Sequence, residues 1–262
     1  MAENIVDLLQ RRGDLSTFLL HFTTTRENLL SILTDHRVEA RSAWGMLRAK
    51  AEENPALAAT QRCVCFTEAP LEHAWMMCRE IEGRTHQFGP YGIAFSKVWA
   101  RREGANPVWY VDITPTHDWL MVPLNDLVVL AENGHARTVP RDGAGRIIRP
   151  IQPQVAALET CQVARLAPFI EQMGTGAGAT YSYHKEFWWE REWRRVGHMY
   201  FRWANAVSVF VPEDEHTLFA RELAGRRQGG EEPPPLLDPR WGLERMIAAL
   251  RGLPAGDVGP LP

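Results

Sequence analysis

Five short apolar runs set the terms for any fold of this chain: STFLLHF (16–22), RCVCFT (62–67), YGIAF (91–95), PVWYVDI (107–113) and AVSVFV (206–211). Each has the length and apolar density of a buried strand, and what separates them carries helix signals. Thr24 and Glu27 ahead of NLLSIL read as a capping box, so a helix follows the first run at once and turns Leu29, Ile32 and Leu33 inward. Further helices are expected at 4–10, at 43–52 up to Asn54-Pro55, from Pro70 through Trp75 and Cys78, at 96–102, at 213–224, and at 155–173 with a bend at Pro168. Strands and helices alternate without a Rossmann fingerprint, which points to an α+β fold, read as two short facing sheets with a cleft between them.

Residues 1–228 read as a single α+β domain, broken by an irregular excursion over 132–153 where Gly134, Pro140, Gly143, Gly145, Pro150 and Pro153 interrupt any regular pattern. GGEEPPPLLDP (229–239) reads as a Pro-rich linker, followed within 229–262 by a short helix and a tail. A net charge of −3 gives no global field toward nucleic acid or an anionic membrane. The N-terminus has acids where a signal peptide carries bases, and no segment approaches the ~18 apolar residues of a membrane helix. Cys63, Cys65, Cys78 and Cys161 are too few and too irregular for a disulfide framework, so a cytoplasmic setting is expected. The local exception in charge is 135–149, where Arg137, Arg141, Arg146 and Arg149 stand against one aspartate; such a loop can track nucleic-acid phosphates or simply be solvated.

Among motifs, Cys63-x-Cys65 lacks a second ligand pair and the histidines show no H-x-x-x-H spacing, so no metal is expected. GTGAGAT (174–180) reads as a flexible loop, a candidate lid, feeding into FWWEREWRRV (187–196). Treated as a strand, that stretch puts Phe187, Trp189 and Trp193 on a core face and Glu190, Glu192 and Arg194 on the other. The same face is either a solvated row of ion pairs or a half-dry pair of carboxylates fit for proton transfer or for stabilising positive charge. Tight pairing with Arg194 would make the carboxylates structural. His21, at the end of a strand, is either a satisfied structural histidine or a ligand contact.

His21-Phe22-Thr23 before the capped helix, CFTEAPL (65–71), YGIAFSKVWARREGANPVWY (91–110) and EREWR (190–194) occur in the order that resembles the AbiGi-type abortive-infection proteins of bacterial phage defence. The resemblance spans most of 16–211 and extends to related families with an HFT start and a W-x-x-E-x-E-[WY]-R end. AbiGi proteins carry an antitoxin label, while the element order is similar to the ADP-ribosyltransferase fold of DarT-type toxins. The resemblance implies an NAD-dependent effector that modifies a macromolecular target, with flanking helices around the cleft. Glu192 would stabilise the oxocarbenium-like state, Glu190 would orient or deprotonate the acceptor, and His21, supported by Thr23, would hold a ribose hydroxyl. Thr67 would brace the catalytic glutamate, and Tyr91 or a tryptophan would stack on nicotinamide. The other function that the resemblance implies is a catalytically inactive antitoxin or phage-sensing protein bound to a toxin or a phage component.

Overall fold

A computed structural model describes residues 15–81, 84, 87–132, 142–144, 146, 158–177, 182–226 and 231–253. The helix expected at 4–10 and nearly all of the 132–153 excursion, including Arg137, Arg141 and Arg149, lie outside the described residues.

In chain order the strands are β1 (Phe18–Thr23), β2 (Arg37–Val38), β3 (Ser42–Ala43), β4 (Arg62–Thr67), β5 (Tyr91–Ser96), β6 (Asn106–Pro107) and β7 (Trp109–Asp112), then β8 (Ile170–Ala177), β9 (Ser182–Lys185), β10 (Glu192–Val196), β11 (Met199–Tyr200), β12 (Ala206–Phe210) and β13 (Leu236–Leu237). One principal sheet of eight strands runs β13-β12-β5-β1-β4-β10-β6, with β3 added on β4; β7-β8-β9 and β11-β2 form two smaller sheets. The fold is therefore α+β, with one large principal sheet and two smaller ones in place of two short sheets. Apolar residues alternate across it. Leu19, Val64, Phe66, Ile93 and Phe95 pack on one side under the helices Arg26–Asp35 and His216–Ala224, while Leu20, Phe22, Ala94 and Phe210 pack on the other against Leu71, Met77, Trp241 and Met246.

The pairing of β1 is lopsided, and this shapes the site. β1 runs antiparallel to β5 through six residue pairs, Phe18↔Ser96 to Thr23↔Tyr91. With β4 it shares the single pair Leu20↔Thr67. Beyond that pair the two strands part, and their facing backbones border an opening in the sheet.

Several boundaries differ from the sequence reading, each for a local reason. The cap of the Arg26–Asp35 helix is Thr25, whose hydroxyl accepts from Asn28 N, while Thr24 accepts from the Asn28 amide side chain. The helix expected at 43–52 starts only at Arg48, after β3. Asn54-Pro55 ends that helix and opens another, Pro55–Gln61, because Asn54 Oδ1 accepts from Ala56 N and Leu57 N and proline suits a first helical position. The run 107–113 divides between β6 and β7, which belong to different sheets. The expected helix 155–173 breaks at Pro168, and Ile170 begins β8 parallel to β7. Of GTGAGAT, read as a loop, Gly174–Ala177 instead complete β8 and pair with β9, and 178–180 lie outside the described residues. Glycine is required at 174, where φ is 92° and a Cβ would sit 2.3 Å from Asp112 Oδ1 and from Thr114 Oγ1.

The stretch read as a linker contains an edge strand. β13 pairs in parallel with β12, and Val209 N and Val211 N donate to Pro235 O and Leu237 O. Prolines lack a donor, so a run of them is tolerated at a sheet edge. Leu237 is fully buried, and Trp241 and Met246 close the core beside it. Leu237→Ala is expected to cost about 2–5 kcal/mol in urea unfolding, and a chain ended at residue 228 is expected not to fold cooperatively; a truncated chain of unchanged stability would show that this segment is only an appendage.

Candidate functional site

Where β1 and β4 part, a cavity of about 360 Å³ opens, lined by residues 20–24 of β1 and its exit and 63–67 of β4. His21 spans the gap. Its Nδ1 lies 2.9 Å from Cys65 O, and since a carbonyl only accepts, Nδ1 carries the proton and Nε2 is left as an acceptor. Burial pulls the His21 pKa below its ordinary value; the Cys65 hydrogen bond works against this, and the nearby Arg41 charge works with it. The ring is thus neutral near pH 7, with Nε2 as an acceptor.

The far wall is FWWEREWRRV, which is not a continuous strand. Trp188–Glu190 is one turn of 3-10 helix, Arg191 is left-handed at φ 49°, and β10 starts at Glu192. Residues 67 and 68 hold this bend from β4. The Thr67 hydroxyl donates to Glu190 O, and Glu68 N donates to Arg191 O. The buried Glu68 carboxylate accepts from Lys97 Nζ at 2.6 Å and from Trp193 Nε1 at 2.8 Å, with an Arg191 guanidinium nitrogen at 3.6 Å. Glu190 and Glu192 both line the cavity because the chain bends between them, not because they alternate along one strand. Trp189 and Trp193 pack on core clusters as expected, but Phe187 lines the cavity.

The two carboxylates have different surroundings. Glu192 accepts from Arg194 Nε and Nη2, each at 2.8 Å, and from Tyr110 OH at 3.3 Å. Arg194, only 1% exposed, also donates to Pro168 O at 2.7 Å and Glu171 Oε2 at 2.6 Å, tying β10 to β8. Burial works to raise the Glu171 pKa, but Arg194 and Lys185 together hold it below the ordinary 4.5. Glu190 faces the opposite balance: burial raises its pKa, and Arg84, whose Nη2 is 2.7 Å from Glu190 Oε1, only partly offsets this. Burial, with Glu192 adding to it, pushes the Tyr110 hydroxyl strongly upward, so it stays a donor. The cavity thus combines a clamped carboxylate, a carboxylate with a pKa raised by burial, a neutral histidine, and aromatic surface from Trp44, Phe88, Tyr110 and Phe187. Hydrogen-bond acceptors beside aromatic surface suit a polar ligand with a planar ring and hydroxyls.

Of the residues singled out in the sequence, His21, Thr23, Thr67, Glu190 and Glu192 all line this cavity. Tyr91 does not: its hydroxyl donates to Glu215 Oε1 at 2.7 Å, and neither residue is part of the lining. Thr67 grips the backbone of Glu190 and makes no bond to a glutamate side chain. Cys63 and Cys65 both line the cavity, and burial raises both thiol pKa values, Cys63 to about 12. Arg146 pairs with Asp142 at 2.8 Å and is not part of the lining. Among the described residues there is no group of three His, Cys, Asp or Glu placed to hold a metal, and no helix long and apolar enough to cross a membrane.

Sequence reasoning missed Arg84, Tyr110, Glu171, Lys185 and Trp44. Glu171 was hidden inside a false helix, Lys185 belongs to a strand that was not expected, and nothing local marks Arg84. Trp44 receives two guanidinium groups, Arg48 at 5.0 Å and Arg194 at 5.6 Å from its ring centroids. The second of these contacts joins residues 150 positions apart and is purely tertiary.

A family model described as "Putative abortive phage resistance protein AbiGi, antitoxin" matches residues 37–222. The matched span includes Thr67, Arg84, Glu190, Glu192 and Arg194 but starts after His21 and Thr23. No curated protein and no solved structure matches the chain.

Replacing Arg194 by Met is expected to cost about 3–5 kcal/mol, because Glu171 and Glu192 would remain buried without their shared cation; urea midpoints within error of wild type would refute that role. The pH dependence has a definite sign. Glu171 has a folded pKa below its unfolded 4.5, so its contribution is present above 4.5 and lost as pH falls through the folded value. Unfolding measured from pH 6 downward should show this acid loss, and Glu171→Gln should flatten it.

Proposed function

The chain belongs to the AbiGi family, and from that premise we propose that it acts in abortive phage resistance through the cavity between β1 and β4, as an ADP-ribosyltransferase-like effector that consumes NAD and modifies a macromolecular target. The observation that carries this reading is convergence: His21, Thr67 and the pair Glu190 and Glu192, from three segments far apart in sequence, line one cavity. Cleavage of the nicotinamide–ribose bond passes through an oxocarbenium-like state, which fixed negative charge stabilises. Glu192 supplies that charge. Arg194 fixes both its oxygens, yet a carboxylate has about four lone-pair positions, so it keeps acceptor capacity for a ribose hydroxyl. His21 Nε2 accepts from a second hydroxyl, and Glu190, with its raised pKa, is the carboxylate suited to take a proton.

Nicotinamide release from NAD by the purified chain is the test. Wild type should release it, and Glu192→Gln and His21→Ala should each slow release by ~100-fold or more. Release no faster than in buffer, or an unchanged rate in Glu192→Gln, would refute the reading.

Two observations favour a second reading, a catalytically inert antitoxin that binds a toxin. Arg194 clamps both oxygens of Glu192, and the helix Met121–Glu132 exposes Val122, Leu127, Val129 and Leu130 while burying Met121 and Val128. Helices apolar on both sides are usually covered on both. Under this reading Leu130→Glu weakens partner binding, NAD stays intact, and cavity substitutions leave the partner bound.

A further inference from the structure

We propose that Arg84 is the chain's own acceptor, a self-modification site at which a single ADP-ribosyl group is transferred to its guanidinium. This rests on the NAD reading of the cavity and names a nucleophile within it.

The argument is one of placement. A guanidinium is a poor nucleophile until a base removes its proton, so an acceptor arginine needs a carboxylate on the attacking nitrogen and a route to the ribose. Arg84 satisfies the first requirement with two bonds, Nε at 3.2 Å and Nη2 at 2.7 Å from Glu190 Oε1. Its other terminal nitrogen, Nη1, donates to Met77 O at 2.9 Å, and the guanidinium lies 4.7 Å from the centroid of the Phe88 ring. Nη2 is therefore the nitrogen presented to the base, on a side chain 6% exposed and held in one orientation. The second requirement is met because Arg84, Glu190 and Glu192 line the same cavity, where Glu192 is the carboxylate assigned to the ribose cation.

The other arginines of the lining do not combine these features. Arg37 and Arg41 share Glu39, a carboxylate that those arginines hold below its ordinary pKa while burial opposes them. Arg48 lies over Trp44, and Arg194 is consumed by Glu192, Glu171 and Pro168. Among the described lining arginines, Arg84 is the one paired with a carboxylate whose pKa is raised.

The step balances with NAD as the co-reactant. The bond from ribose C1′ to the nicotinamide nitrogen breaks, and its electron pair leaves with neutral nicotinamide. Arg84 Nη2 forms the new bond to C1′, its proton passes to Glu190, and the substituted guanidinium remains cationic. The product carries a bulky group where the Arg84–Glu190 pair was, so each chain modifies itself once.

The experiment incubates the full chain with adenine-labelled NAD and no other acceptor, follows nicotinamide release, and maps the label by peptide mass spectrometry. The expected result is ADP-ribose on Arg84 with tryptic cleavage after it blocked, absent from Glu190→Gln and not produced by free ADP-ribose. Nicotinamide release with an unmodified Arg84 peptide overturns self-modification and leaves the NAD reading standing. Label that forms equally in Glu190→Gln, or from free ADP-ribose, is spontaneous glycation and also overturns it. Absence of nicotinamide release overturns both.

Discussion

The arrangement of the site depends on one buried guanidinium. Arg194 spends its donors on Glu192 in its own strand, Glu171 in β8 and the carbonyl of Pro168, so the β7-β8-β9 sheet is fastened to the principal sheet through a charge that water barely reaches. Burying a cation is costly unless its partners are anionic and well placed, and here two carboxylates and a carbonyl meet that demand. The same network decides what the cavity can do. It fixes Glu192 in position and leaves Glu190, paired with Arg84, as the carboxylate whose pKa burial raises above its ordinary value, with Arg84 and Lys185 opposing the shift.

The second constraint is the parting of β1 and β4 after one residue pair. A continuous ladder would fill this space with backbone hydrogen bonds. Instead His21 reaches across to Cys65 O, satisfying one exposed carbonyl and fixing its own tautomer. The sheet's opening and the histidine's acceptor nitrogen are consequences of the same local geometry. Thr67 and Glu68, at the end of β4 nearest the shared pair, then hold the bend that brings Glu190 and Glu192 to the opposite wall.

What was legible in the sequence was set by apolar density. The runs holding β1, β4, β5 and β12 declare themselves because each is largely buried, and they carry His21 on β1 and Thr67 at the end of β4. FWWEREWRRV misled in detail: charged and aromatic residues alternate there as in a strand, and Arg191 adopts a left-handed φ without the glycine that would announce it. Both glutamates line one cavity, and a bend, not a two-residue period, brings them there. β8 was read as helix and loop because its glycines look like a flexible run, whereas Gly174 is demanded by the close approach of Asp112 and Thr114. Tyr91, one of the aromatic residues offered for stacking, is held by a distant partner, Glu215, that nothing in the local sequence marks. Contacts such as Arg84 to Glu190, across 106 positions, leave no local trace.

The central claim is that the opening between β1 and β4 is an NAD site. A crystal structure grown with a non-hydrolysable NAD analogue tests it most directly. The account predicts the analogue in this cavity, with one ribose hydroxyl within hydrogen-bond distance of His21 Nε2 and the ribose C1′ facing Glu192. An empty cavity at saturating analogue, or an analogue bound elsewhere on the chain, would contradict it.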